Sequence, residues 1–448
     1  MQYALHIPQD RRKSIAFGWL SLGLGALIIA GIFSILLVLS RVPQAEHFIP
    51  WLDFFHTSIV IHVDMSVLIW FLAYSCLLWT LTSKHTGHAF SWLPLIIAIA
   101  GTVIIGSSPF LGAADPLMNN YVPVLRHPLF YTGLGLFGIG IVLQVILSLL
   151  PESFAHEGES SLRLGIYLTV LVTLMAIVSL SWSYLEIPGD TDDHSYFEYL
   201  FWGGGHVVQF SYTLLMLVSW LWLFSTLGLQ LPVSHRIISL LLILGAVPVL
   251  LTPVIQASHG SFSPEYRHNF SLLMRWGGGI AALPIGLMII IKLFGFKDCV
   301  DEHHPIANSL KASVLLFGAG GLLGFLTNGV NTIIPAHYHG SIVGVTLAMM
   351  GLTYYLLPKF NYRQVKGKWA QRQPLIYAWG QFIHISGLAV SGAMGIQRKT
   401  AGAAQGLDSM SRKIAMGVMG MGGLLAIIGG IIFLVIVLKI ISKGKNTD

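Results

Sequence analysis

The sequence predicts an all-α, polytopic membrane protein of twelve transmembrane helices, and three observations carry that prediction. Hydrophobic residues make up 54% of the 448 positions, while Asp, Glu, Lys and Arg make up only 10%. A soluble domain carries about 25% charged residues. The mean hydropathy is +0.74, and the apolar residues gather into runs of the roughly 20 residues that a bilayer crossing needs. A soluble globular enzyme, a disordered chain and a nucleic-acid binder are excluded. One feature is unusual for such a chain: 18 histidines stand beside 19 acidic residues and 25 lysines and arginines.

The spanning stretches fall at 14–40, 56–82, 91–113, 128–150, 162–184, 199–228, 236–257, 268–296, 309–332, 337–358, 374–396 and 413–442. The first follows Arg11, Arg12 and Lys13, is longer than the apolar core of a signal peptide and has no small-residue cleavage site, so it is expected to stay. Turn-rich breaks such as Pro151-Glu152, Pro188-Gly189-Asp190 and Pro358-Lys359 separate the others. No long linker divides the chain, so 1–448 is expected to form a single membrane domain. Lys and Arg favour cytoplasmic segments. Arg11, Arg12, Lys13, Lys359, Arg363, Lys366 and Lys368 all fall on one side, which puts both termini in the cytoplasm. Arg398, Lys399, Arg412 and Lys413 break that bias locally, after helix 11. The two cysteines, Cys76 and Cys299, form neither a heme-attachment motif nor a paired copper site. Any thiolate electron-entry site therefore belongs to another subunit.

Histidines inside apolar stretches are costly and usually functional. His62 lies near the start of helix 2, His206 near the start of helix 6, and His259 at the end of helix 7; His337 and His339 open helix 10. Even-numbered helices start at the outer face and helix 7 ends there, so all five share one slab. Imidazole suits Fe, Cu and Zn, and five at one depth read as a metal layer. His337 and His339 point about 200° apart around their helix, so one helix can serve two metals. His62 can complete a bis-His heme with one of them, and His206 and His259 can bring a further metal toward the other. Arg275, about a turn or two into helix 8, invites an acidic partner or a heme propionate. Asp64, two residues from His62, is a candidate partner or a boundary acid.

These local sequences resemble subunit I of the heme–copper respiratory oxidases, a superfamily that also holds the nitric oxide reductases. Asn331-Thr332-Ile333-Ile334-Pro335-Ala336-His337-Tyr338-His339-Gly340 looks like the family's helix 10, Trp202-Gly203-Gly204-Gly205-His206 like its helix 6, and Ser391-Gly392 with Gln397-Arg398-Lys399 like its propionate-binding basic pair. The resemblance implies that His337 ligates a high-spin heme, that His339 and His62 hold a low-spin heme, and that His206 is a ligand of a non-heme metal, copper or iron. His56 competes with His62, and His62 fits the depth better. Both hemes are expected to be of the b type. It further implies a bacterial cytoplasmic-membrane complex in which a separate copper- or cytochrome-c-bearing subunit delivers electrons and the substrate is a small gas. The acidic run 186–198 is either a solvated loop or a docking face for that donor.

The departures bear on the reaction. Helix 7 supplies His259 followed by Gly260, where the family has adjacent histidines; Gln256, Gln209 or water is left to complete the metal's ligands. The position four residues after the helix 6 histidine, where oxygen-reducing members of the A and B types carry a cross-linked tyrosine, is Phe210, and the proton-channel position two residues after that histidine is Val208. Tyr266, just past helix 7, is the alternative tyrosine. Dioxygen cleavage depends strongly on that phenol, whereas coupling of two nitric oxide molecules does not. The expectation is therefore reduction of nitric oxide to nitrous oxide, with His337, His206, His259 and Gln209 at the reacting centre. The first alternative is dioxygen reduction to water. The second is a membrane transporter with a histidine proton relay, which predicts inverted repeats that the sequence does not contain.

Overall fold

Lipid offers the backbone no hydrogen-bond partner, so an apolar run must satisfy its own N–H and C=O groups as helix. The computed structural model describes residues 3–39, 53–84, 89–151, 157–296, 300–327, 329–400 and 405–445; Cys299 lies outside them. In chain order the long helices are α1 (Arg11–Val38), α2 (Phe54–Thr82), α3 (Phe90–Leu111), α4 (Pro128–Ser148), α5 (Gly158–Glu186), α6 (Asp193–Thr226), α7 (His235–His259), α8 (Pro264–Phe294), α9 (His303–Phe325) and α10 (Ile333–Lys359). They are followed by α11 (Lys368–Ala393) and α12 (Met410–Ser442). Among the described residues, eleven are long and apolar enough to cross a membrane. The twelfth, α11, opens with Lys368, Gln371, Arg372 and Gln373. The polytopic all-α prediction holds.

Three helices are irregular where the sequence read as plain apolar runs. α2 widens into a π-helical segment at Asp64–Ile69, directly after His62; such bulges collect at functional sites. α7 passes through a 3₁₀ turn at Val247–Leu251, because Pro248 and Pro253 withdraw N–H donors. α8 breaks between Gly277 and Ala282. Its start is conventional: Ser263 accepts from the Tyr266 N–H at 3.1 Å with Pro264 in the first turn.

The chain forms two compact units. The first comprises Leu5–Leu215 and His235–Ala282, the second chiefly Met216–Ser234 and Leu283–Asp448. In the first unit α2 is joined to α5 by the Trp79 indole, which donates to the Thr169 hydroxyl at 2.7 Å. The link between α3 and α4 contains a short antiparallel hairpin, β1 (Pro116–Leu117) and β2 (Val124–Leu125). Arg126 beside it pairs with Asp115 at 2.9 Å and Asp193 at 3.2 Å, which fastens the hairpin to the start of α6.

In the second unit α9 and α10 cross at close range. Lipid tails are as apolar as leucine, so helices associate in a membrane by van der Waals packing, and small residues allow it. Gly320 and Gly324 on α9, and Gly340 and Gly344 on α10, each repeat at a spacing of four. A Cβ on Gly320 would stand 2.3 Å from the Ser341 nitrogen, and one on Gly340 would stand 2.6 Å from the Gly320 Cα. Polar bonds extend the unit. The Trp220 indole donates to the Ser313 hydroxyl at 2.7 Å, and that hydroxyl donates to the Gly344 carbonyl at 2.6 Å. The Tyr354 hydroxyl donates to Gln373 at 2.9 Å, and Gln373 donates to the Gly429 carbonyl at 3.1 Å.

Candidate functional site

α6 and α10, the helices carrying His206, His337 and His339, have 83% of their most apolar stretch buried, against 22% for α12. The histidines therefore sit on the best-shielded helices.

In the second unit His337 is aimed by the α9–α10 crossing. Its Nδ1 lies 2.7 Å from the Gly320 carbonyl, and Gly324 leaves room for the ring, since a Cβ there would come within 2.8 Å of it. A carbonyl can only accept, so Nδ1 carries the proton and Nε2 keeps a free lone pair. That is the usual preparation of a metal-ligating imidazole. His339 packs edge-on against His384 of α11, ring centroids 4.9 Å apart. The His384 Nδ1 is held 2.9 Å from the Met419 carbonyl. His384 was not singled out in the sequence, where a lone histidine in a polar-starting helix carries no spacing signal.

The basic pair lies on the same unit. Thr332 ties the start of α10 to the segment after α11: its N–H donates to the Ile396 carbonyl at 3.1 Å, and its hydroxyl to the Leu388 carbonyl at 2.9 Å. Arg398 follows directly, and its buried Nε has no hydrogen-bond partner. An unpaired guanidinium nitrogen shielded from water fits a carboxylate such as a heme propionate. Lys399 adopts the left-handed conformation with φ 60°.

In the first unit the His62 Nδ1 lies 2.9 Å from the Ala30 carbonyl of α1, the same preparation as at His337. His56 instead points its Nδ1 at the Asp53 carboxylate at 2.6 Å, within the cap of its own helix, which favours His62 over His56. Asp64 is fully buried, and neither carboxylate oxygen has a partner.

His206 is also in the first unit. Its Nδ1 is 2.8 Å from the Trp202 carbonyl and 2.8 Å from the Tyr121 hydroxyl. Its ring neighbours are Tyr121, Trp202 and Phe270. Tyr121 comes from the hairpin loop and also hydrogen-bonds the Gln209 side chain. Burial pushes its phenol pKa up, and the Glu198 charge adds to that. Glu198 accepts from the Asn120 backbone at 3.0 Å and faces Arg267 at 3.5 Å. Arg267 lies over the Trp202 ring at 4.5 Å. Tyr121 had no sequence signal, and Glu198 was read only as part of the acidic run 186–198.

The remaining candidates fall elsewhere. His259 ends α7 exposed, and Arg275 is exposed on α8. One turn before His259, Gln256 faces inward: it accepts from the Ser179 hydroxyl at 2.8 Å and contacts the Ser183 and Ser261 hydroxyls at 3.0 Å each. Ser261 donates to Glu186 at 2.7 Å, while Ser183 meets the Tyr266 hydroxyl at 2.9 Å, which accepts from the Gly203 N–H. Three acids of the 186–198 run, Glu186, Asp193 and Glu198, thus have partners within the protein. Among the described residues, no group of three His, Cys, Asp or Glu side chains is close enough to hold a metal ion.

These observations describe a helical membrane protein with carbonyl-held imidazoles and an arginine whose buried Nε has no partner. The family model for cytochrome C and quinol oxidase polypeptide I matches residues 14–432, and the chain belongs to that family. It is 28% identical over 494 aligned positions to an uncharacterized protein of Rickettsia prowazekii (strain Madrid E), with 96% of each chain covered. It is also 28% identical over 362 positions to an uncharacterized protein of Aquifex aeolicus (strain VF5), covering 80% of this chain and 88% of that one. A solved heme-copper terminal oxidase dimer shares the fold, with a TM-score of 0.71 at 17% identity, covering 98% of this chain and 86% of that chain. The protein is accordingly an integral membrane oxidoreductase of the heme-copper class. The family generally binds two hemes and a copper or iron site and works with electron-donating partners.

Proposed function

We propose that the chain is the catalytic subunit of a bacterial respiratory terminal reductase that converts nitric oxide to nitrous oxide. Two molecules of nitric oxide, two electrons and two protons give nitrous oxide and water. The observation that carries this choice is Phe210, which stands four residues after His206 with no donatable proton and is buried against Gly277. Family membership leaves no support for the transporter reading. We read 1–448 as one membrane-embedded catalytic subunit with both termini cytoplasmic.

The roles carry over by motif. His337 binds the high-spin b-type heme, His62 and His339 the low-spin b-type heme, and His206 a non-heme copper or iron. When bound, these groups supply electron transfer and charge stabilisation at the reacting gas. Arg398, with Lys399, neutralises propionate charge. Gln209 lies one residue before Phe210, on the turn after His206, and can hydrogen-bond a bound gas. His259 and Arg275 are exposed, which weighs against them as metal and propionate ligands. A separate copper- or cytochrome-c-bearing subunit delivers the electrons.

The second reading, dioxygen reduction, is favoured by one observation: the Tyr121 hydroxyl at 2.8 Å from His206 supplies a phenol from outside α6. Reduced-minus-oxidised and CO-difference spectra of the purified complex, a metal count and parallel turnover with both gases decide the matter. A complex without heme refutes the proposal altogether. Fast dioxygen turnover with negligible nitric oxide turnover transfers it to the second reading.

A further inference from the structure

The chain around the α10–α11 link carries one sign of charge. Lys359, Arg363, Lys366, Lys368 and Arg372 fall within 14 residues, and no Asp or Glu occurs between Glu302 and Asp408. All five are exposed. A topogenic bias accounts for basic residues at one membrane face, but it asks for charge alone and not for a fixed arrangement.

Here the arrangement is fixed. After the last turn of α10 the Asn361 N–H donates to the Pro358 carbonyl and the Tyr362 N–H to the Leu357 carbonyl, both at 3.0 Å. Asn361 then turns the chain with φ 69°, and Gly367 turns it again with φ 102°. Phe360, Tyr362 and Val365 are buried, so the link is plugged into the protein while Arg363 and Lys366 stay outside. The start of α11 is tied to α9 by the Asn308 side chain, which donates to the Gln371 carbonyl at 2.9 Å. At the other end of the link, Lys359 Nζ lies 5.5 Å from the Tyr355 ring centre. Like charges held on one ordered edge repel one another unless an anion joins them.

α11 adds an apolar track to that edge. Trp369, Arg372, Leu375, Trp379 and Phe382 recur every three or four residues, which puts them on one side of the helix, and all are exposed. Trp369 is 64% and Trp379 61% exposed, and Trp379 meets Phe382 edge-on at 5.9 Å. Exposed apolar side chains of a spanning helix face acyl chains, and indoles gather at headgroup level. The track thus runs from hydrocarbon contacts at Phe382, Trp379 and Leu375 to cations at Arg372 and Lys368, with the Trp369 indole beside them. A free anion would use the cations and leave the track idle. A molecule with an acyl chain and an anionic head matches both.

We propose that this edge binds an anionic phospholipid, its phosphate against Lys368 and Arg372 and an acyl chain along Leu375, Trp379 and Phe382. Each basic residue at a membrane surface strengthens binding of acidic headgroups about five-fold.

The test uses the full complex, delipidated in neutral detergent at low salt. It is titrated with mixed micelles of phosphatidylglycerol, with micelles of phosphatidylcholine, and with inorganic phosphate. Tryptophan emission of the parent minus that of Trp369→Phe follows binding, and phosphatidylglycerol retained through gel filtration is counted by mass spectrometry. Phosphatidylglycerol should bind saturably and be retained, phosphatidylcholine should not, and high salt should weaken the binding. The double variant Lys368→Gln with Arg372→Gln should bind about 25-fold more weakly at a parent-like unfolding midpoint. Lys368→Arg with Arg372→Lys should restore most of that loss. Arg11→Gln removes an exposed charge from the start of α1 and should change nothing. Equal binding of the two lipids overturns the proposal, as do parent-like binding in the double variant, an equal loss in Arg11→Gln, or no retained phosphatidylglycerol in the parent. Inorganic phosphate that saturates the same signal and displaces the lipid reassigns the edge to a free anion and overturns the lipid claim.

Discussion

Replacing Gly320 by alanine tests whether the α9–α10 crossing aims His337. The new Cβ would stand 2.3 Å from the Ser341 nitrogen and 2.6 Å from the Gly340 carbonyl carbon. Both are backbone atoms, so no side chain can swing aside. Ordinary contact begins near 3.4 Å, so the helices must part by about 1 Å. The bond from His337 Nδ1 to the Gly320 carbonyl, now 2.7 Å, would stretch toward about 3.8 Å, beyond hydrogen-bond range. Overpacking of this kind costs about 1–3 kcal/mol, and the lost bond about 1 kcal/mol more. Gly318→Ala is the matched control: nothing lies within 4 Å of its Cβ, and a helical alanine is favoured over glycine by up to about 1 kcal/mol. Unfolding midpoints in one detergent should fall for Gly320→Ala and hold or rise for Gly318→Ala. The CO-binding heme signal should drop only in the former. Equal midpoints and equal CO signals in the two variants would refute the argument that this crossing sets the imidazole.

Further outcomes follow from other contacts. His62→Ala should abolish the low-spin bis-histidine spectrum, while His56→Ala keeps it and loses only its link to Asp53; optical and EPR spectra distinguish them. Gln256→Leu removes its bonds to Ser179, Ser183 and Ser261 and should lower the unfolding midpoint, each lost bond costing about 1 kcal/mol. Asp10 accepts from the Arg12 backbone at 2.8 Å at the start of α1, so Asp10→Ala should cost about 1 kcal/mol of cap energy. Hydrogen bonding from the Arg12 side chain holds the Asp10 carboxyl below its ordinary 3.8. Its contribution is thus full above that value and disappears as pH falls through the lowered one. Asp10→Asn should flatten that acid slope in midpoint-versus-pH scans.

The long helices were legible because a bilayer demands unbroken apolar length, and nothing else in the chain imitates it. The helix that carries each histidine was legible for the same reason: His62, His206 and His337 fall on α2, α6 and α10. Direction was legible only within one helix, as for His337 and His339. Contacts between distant segments were not. Tyr121 sits in a link with neither helical nor strand periodicity, and nothing in its neighbourhood points to His206. The glycines of α9 and α10 read as a spacing of four, yet that spacing names no partner until the crossing places Gly320 against Gly340. Pro248 and Pro253 signalled the irregular turn of α7. The π segment of α2 had no such sign, because Asp64–Ile69 contains no helix breaker.

The carbonyl-held imidazole is a property of helix spacing before it is a property of metal binding. His62, His337 and His384 each bring Nδ1 to within 2.7–2.9 Å of a carbonyl on another helix. Ala30 and Gly320 supply two of these carbonyls and Met419 the third; Gly422 beside it lets the helices close, since a Cβ there would fall 2.3 Å from the His384 backbone nitrogen. Because His384 shares the pattern, the pattern alone does not mark a ligand; it marks an imidazole whose Nδ1 faces a carbonyl. The motif then separates His62 and His337 from His384, whose carbonyl partner is Met419. His206 lacks an accepting carbonyl from another helix. Its Nδ1 instead meets the Tyr121 hydroxyl, from the link that carries the hairpin after α3, at 2.8 Å.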